Sequence, residues 1–329
     1  MITGIRVYHS REGRVAPVEL DRPANFAQEL LVHVDDTGAS LFSLPFRNLL
    51  LAGAIAGVSL AVPAIRAVAQ TDYYNTDRGR PVQIEDAYPT ERYAFELKLA
   101  PVRLERARGG VYSWEVDPEI AYGFLPRTQL EVGVPIAYAD VGSEHRAGLA
   151  GLDLSALYNL NAETTTLPAL GVRADVLVPV GNLAPDRAYG SFTGLATRTF
   201  PALRIHANAQ YTLGSAPGVD SSPSVGGTSV ALDENAAELS RWLAGVAVDK
   251  TLPLHSVLFS AEAYARQPII SSQDVEYVVG TGVRYQLNTL LAVDAGVGRR
   301  LNGASRAWYV TFGTAYAFGV ASLMPGGAR

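Results

Sequence analysis

The sequence predicts an all-β fold: a transmembrane, antiparallel, up-and-down β-barrel of about 12 strands. Three observations predict it. Apolar and polar residues alternate with a period of two from residue 91 onward. Most of the alternating segments run to about 10–13 residues, the length a tilted strand needs to cross a bilayer, where a soluble sandwich would use strands of about 5–6. The connections between them are short and long in turn, as periplasmic turns and external loops are.

Composition agrees once the alternation is allowed for. The chain has 329 residues, 48% of them hydrophobic, with a mean hydropathy of +0.10. That average looks soluble only because each apolar residue is followed by a polar one. With 31 glycines, 16 tyrosines and no cysteine, the chain suits many strands and excludes disulfides and thiolate metal sites. A net charge of −5 and a pI near 5.6 argue against a polyanionic partner, so no nucleic acid is expected.

The first element is an export signal. The uncharged run from Leu49 to Val62 follows Arg47 and leads to Ala67 and Ala69, an A-x-A site. It is shorter than the roughly 20 residues a spanning helix requires. Residues 47–69 therefore read as a signal peptide cut after Ala69, with the mature chain starting at Gln70. No cysteine stands at the cut for lipidation. Residues 1–46 are too long and too mixed for a signal's charged region, and read as a start assigned too far upstream or as a cytoplasmic extension. Residues 70–90 are expected to form a periplasmic N-terminal segment, 91–319 the barrel and 320–329 a tail.

The barrel segments follow in order at 91–107, 111–123, 128–140, 148–160, 168–180, 189–199, 203–213, 239–250, 255–266, 275–286, 290–300 and 306–319. In "LRIHANAQYTL", Leu203, Ile205, Ala207, Ala209, Tyr211 and Leu213 share one face, and Arg204, His206, Asn208, Gln210 and Thr212 the other. A membrane interior offers backbone amides no water, so such a sheet must close on itself with its apolar face toward lipid. Tyr138, Tyr158, Tyr211, Trp242, Trp308, Tyr316 and Phe318 lie on that face near segment ends, as interfacial girdles would. Short turns at 125–127, 200–202, 249–253 and 287–289 interleave with longer connections at 141–147, 181–188, 214–238 and 267–274. Twelve strands then put both ends of the mature chain on the periplasmic side.

The stretch "FELKLAPVRLERARGGVYSWEVDPEIAYGFLPRTQLEVGVPIAY" from Phe95 to Tyr138, with the ending "WYVTFGTAYAFG", resembles the outer-membrane transporter family named for the meta-pathway of phenol degradation. The resemblance implies an outer-membrane channel for passive uptake of small, aromatic or hydrophobic molecules. It carries over no binding residues. The ending "VASLMPGGAR" after Phe318 departs from the terminal aromatic with which barrels commonly finish.

By alternation the lumen receives Glu96, Lys98, Glu115, Asp117, Glu119 and Glu131 on the early strands. Arg173, Asp175, Arg204, His206, Arg241, Glu262, Glu276, Arg284, Asp294 and Arg300 follow on later ones. Acidic groups facing arginines would set a transverse field that selects solutes. The other reading is that the charges pair and fill the interior. No catalytic residue, metal ligand set or cofactor is expected: no H-E-x-x-H or G-x-S-x-G occurs. Two glycines in "VGTGVRY" at 279–285 would relieve crowding or curve the wall. The expected location is the outer membrane of a Gram-negative-type bacterium. The expected partners are outer-membrane lipids, a small-molecule solute, and the barrel-assembly and periplasmic chaperone machinery. A non-transport envelope barrel serving adhesion or structure, or an outer-membrane lipid hydrolase, stand as alternatives.

Overall fold

In the computed structural model of the chain, residues 75–106, 112–141, 144–214, 239–269, 274–302, 307–320 and 323 are described. The export signal, its cleavage site and residues 1–46 lie outside them, as does most of the 320–329 tail.

The strand segments are β1 (Ala94–Arg106), β2 (Tyr112–Val116), β3 (Glu119–Leu125), β4 (Thr128–Gly133), β5 (Ile136–Val141), β6 (Glu144–Leu149), β7 (Leu152–Asn161), β8 (Ala169–Val178), β9 (Tyr189–Thr199), β10 (Arg204–Thr212), β11 (Ser240–Leu252), β12 (Val257–Pro268), β13 (Glu276–Asn288), β14 (Leu291–Arg300) and β15 (Trp308–Gly319). Neighbours pair antiparallel, and β15 closes on β1 in a register running from Ala94↔Gly319 to Arg106↔Trp308. Three of the staves are each split into two segments, β2 with β3, β4 with β5, and β6 with β7. The result is a closed barrel of 12 strands.

The splits have a chemical cause. They fall at Asp117–Pro118, Val134–Pro135 and Ala150–Gly151; the prolines of the first two have no N–H to give the ladder, and Gly151 at the third takes a φ of 149°. The gaps are bridged out of register: Val134 N–H donates to the Pro118 carbonyl at 3.1 Å, and Ala150 N–H to the Pro135 carbonyl at 2.8 Å. Because Val116 pairs with Ile136 and Glu119 with Gly133, the gaps sit side by side. A register shift at Leu99/Pro101 in β1 continues the line, so it crosses the first four staves.

Burial inverts that of a soluble protein. Leu130, Val132, Tyr211, Val246, Val248 and Phe312 are exposed on the outer face, while Gln129, Glu131, His206, Asn208 and Asp249 are buried on the inner one. The predicted phase therefore holds on these strands. The end carrying the start of β1 and the end of β15 also carries the tight links Leu125 to Thr128, Thr199 to Arg204 and Asn288 to Leu291. The longest connections, 179–188 and 213–239, lie at the other end, which on the short-turn rule faces outward; the connection expected at 141–147 is instead a two-residue link from β5 to β6, and the seven residues 162–168 join β7 to β8 at the near end.

Residues 75–90, expected to form part of a periplasmic segment, lie instead inside the barrel. Five charges at Asp77, Arg78, Arg80, Glu85 and Asp86 make the segment soluble in a polar lumen and nowhere else in a membrane. It follows the inner wall: Thr90 N–H donates to Gln129 Oε1 at 2.8 Å, Ala87 N–H to Thr197 Oγ1 at 3.0 Å, and Gln83 N–H to Glu262 Oε2 at 2.7 Å. The inner wall is cut to receive it. A Cβ at Gly282 would lie 2.5 Å from the Pro81 Cβ, and one at Gly296 2.4 Å from the Pro81 oxygen, so only glycine admits the chain there. Ile84 fills a socket of Leu243, Ala247, Tyr264, Val278 and Tyr309, apolar residues on an otherwise polar surface.

Candidate functional site

The lumen is built from the inward positions of the strands and the groups of the inserted segment. Asp77 sits at the centre of one cluster, with Arg80 at 2.7 Å, Arg284 at 2.9 Å and Lys98 at 3.3 Å. Burial alone would raise its carboxyl. Lys98, Arg80 and Arg284 outweigh that and hold it well below the usual range. Lys98 in turn reaches Glu131 at 2.6 Å and Glu119 at 3.4 Å.

A second cluster forms on Arg173, which spans Asp175 at 2.7 Å, Glu131 at 2.8 Å and Glu85 at 3.1 Å. Arg78 adds contacts to Asp153 at 3.0 Å and Asp175 at 3.2 Å. Burial pushes the Glu85 carboxyl up to about 7 against the pull of Arg173 and Arg78. Toward the outer end, Arg266 and Arg300 share Glu276 at 2.8 and 3.2 Å, and Arg300 also meets Glu105 at 3.1 Å. The Arg103 guanidinium lies 4.1 Å above the Tyr309 ring. Asp294 is buried 3.7 Å from Arg284 Nε, and neither of its oxygens has a hydrogen-bond partner among the described residues.

The proposed selectivity residues therefore fall into groups. Glu119, Glu131, Arg173, Asp175, Arg284 and Asp294 converge around the inserted segment. Glu262 holds that segment by its backbone, accepting from Gln83 N–H and from Ile84 N–H at 3.0 Å. Glu276 and Arg300 form the outer pair. Glu115 and Asp117 stand half-buried at the line of strand gaps. Arg241 lies beside a register shift at the outer end of β11 and caps the Thr212 and Gly214 carbonyls at 2.8 and 2.6 Å, apart from the other charges.

Arg204 and His206 belong to a set that resembles a nucleophile relay. Thr197 Oγ1 is 3.0 Å from His206 Nδ1, and His206 Nε2 is 2.8 Å from Asp249 Oδ2. The hydroxyl is sealed: Thr197 and His206 are both fully buried, and the Ala87 amide donates onto Thr197 Oγ1. Arg204 also occupies both Asp249 oxygens, at 2.9 and 2.6 Å. The set anchors the inserted segment.

Sequence reasoning missed the groups that this segment contributes. One signal was present. Leu243, Tyr264, Val278 and Tyr309 are apolar residues in lumen phase, and a polar interior has no use for them unless something apolar docks there.

The family model for the MetA-pathway of phenol degradation matches residues 108–318, more than half of the chain's 329 residues. The chain belongs to this family. The match runs from beyond β1 to the penultimate residue of β15, so this member's inserted segment lies outside it. Among solved structures, an outer membrane channel from Pseudomonas putida F1 is 11% identical and aligns over 74% of this chain and all of its own, with a TM-score of 0.46. The KdgM porin is 12% identical over 68% of this chain and 99% of its own, at 0.40. Outer membrane phospholipase A from Escherichia coli is 10% identical over 76% and 98%, at 0.37. No curated protein matches the chain.

Proposed function

We propose that this protein is an outer-membrane channel for passive uptake of small molecules, with a lumen narrowed by its own residues 75–90. The observation that carries the reading is the inverted barrel, apolar outside and lined inside with charges and water-compatible groups. Such a wall is costly to build unless polar solute or water must pass. The inserted segment runs through the lumen from Thr90, at Gln129 beside a short turn, to Ile84 and Arg78, which meet Val278, Tyr309 and Asp153 toward the other end. Passage then requires the segment to shift, or a path beside it. Solutes meet paired charges, so selection falls on size and dipole more than on net charge.

The dense pairing also supports a second reading, a closed barrel with a structural role in the envelope. Planar-bilayer recordings with a panel of small aromatic and aliphatic solutes test both. Conductance that specific solutes block supports the channel. Absence of conductance, in the wild type and in variants with a loosened segment, supports the closed barrel.

A further inference from the structure

Arginines 299 and 300 are adjacent in β14 and meet opposite fates. Arg300 points inward and is held by Glu105 and Glu276. Arg299 points outward, exposed, and its contact is the ring of Trp308, with the guanidinium 4.8 Å above the centroid. Among the described residues no carboxylate pairs with it. Trp308 is itself 55% exposed and sits opposite Arg299 on one side and Arg106, also exposed, on the other. Two outward guanidiniums thus flank one indole on three neighbouring strands.

Their depth follows from the strand. Phe318 lies at the other end of β15 in an aromatic belt, stacked on Phe95 at 5.3 Å, with Tyr122 beyond at 4.3 Å from Phe95. Ten residues separate Trp308 from Phe318. At about 3.3 Å per residue and a tilt of about 40°, that is about 25 Å along the membrane normal, the height of the apolar band of such barrels. Trp308, Arg299 and Arg106 therefore stand at headgroup level in the outer leaflet. A charge there escapes the cost it would carry at mid-membrane, and a guanidinium fork fits a phosphate in two hydrogen bonds.

We propose that Arg299, Trp308 and Arg106 form a docking surface for a phosphorylated glycolipid headgroup of the outer leaflet. The Arg299 guanidinium takes the phosphate, Arg106 adds positive charge beside it, and the indole packs against the sugar and upper acyl chain. The proposal depends on the barrel's orientation and not on what the lumen conducts, so it stands or falls apart from the channel reading.

The test uses the full chain in phosphatidylcholine nanodiscs doped with lipid A or with its dephosphorylated counterpart, and reads bound lipid by native mass spectrometry. Wild type should bind the phosphorylated lipid at least tenfold more tightly than the other. The Arg299→Gln/Arg106→Gln variant should lose at least tenfold in that binding, and Arg187→Gln, on a distant exposed loop, should lose none. Heat-modifiable gel mobility reports folding, and Arg299→Gln alone serves if the double variant fails to fold. Equal affinity for the two lipids overturns the proposal, as does full binding by a folded variant. Inorganic phosphate matching lipid A when added without it would also overturn it, by making the surface a free-anion site.

Discussion

Glu262→Ala is the sharpest probe of the inserted segment. One carboxylate oxygen accepts two amides, Gln83 N–H at 2.7 Å and Ile84 N–H at 3.0 Å, in a setting where both residues of the second bond are buried. An amide buried without its acceptor costs about 1–3 kcal/mol, so stripping both costs the docked segment about 2–6 kcal/mol. That is a shift of roughly 30-fold to 10⁴ in the docking equilibrium, since about 1.4 kcal/mol is a factor of ten. Glu262→Gln keeps an acceptor oxygen in place and should lose about a tenfold or less by the same reasoning. Amide hydrogen exchange at Gln83 and Ile84 in reconstituted protein measures the loss of protection. Bilayer recordings should show longer or larger openings in the alanine variant than in the glutamine one. If alanine leaves the two amides protected to within tenfold of wild type, Glu262 does not hold the segment and the argument fails.

Three further outcomes are expected. Val246→Arg, outward at the middle of β11, should impair insertion by about 2–4 kcal/mol, whereas the lumen-facing Gln210→Arg should fold nearly as wild type; equal folding yields in vesicles would put the strand phase in error. Replacing Glu115, Asp117 and Glu119 together by Gln, Asn and Gln should move reversal potentials toward anions, more so at low salt, where the Debye length grows past about 10 Å; an unchanged ratio would leave these groups as interior packing. Protection of residues 75–90 should fall as pH rises from about 4.5 to about 7 and level off above, because the Glu85 carboxyl, near 7 when docked and at an ordinary 4.5 when free, holds a proton in the docked state but not in the free one across that window. Glu85→Gln should flatten this dependence, and a slope that survives the substitution would assign it to another group.

How much of this was legible in sequence depends on the range of the interaction involved. The wall was legible because each position's face follows from its own strand: Leu203 to Leu213 alternate, and the structure buries His206 and Asn208 as the alternation requires. The twelve staves were legible even where Pro118 and Pro135 break the ladder, since a bridged gap preserves both the length and the phase of the stave. The lumen charges were legible as inward, but not as pairs, because which carboxylate meets which guanidinium is settled by contacts far apart in sequence. Lys98 to Glu131 and Arg173 to Glu85 are of that kind. Period says nothing about a segment that has none, so "NTDRGRPVQIEDAYPT" read as part of a periplasmic N-terminal segment.

Yet wall and segment are matched in ways that only make sense together. Without the segment, the sockets around Ile84 would present Leu243, Val278 and two tyrosines to water. Gly282 and Gly296 would leave an open groove in a strand pair that glycine weakens, at a cost with no return. Asp153 and Asp175 would lose Arg78, and Arg284 would lose Asp77. The inner wall is thus composed for an occupied lumen. On the channel reading, a solute that finds no path beside the fitted part passes only when residues 75–90 leave their seats. On that route the stability of the Gln83, Ile84 and Ala87 backbone contacts, rather than the bore of a 12-stranded barrel, limits flux.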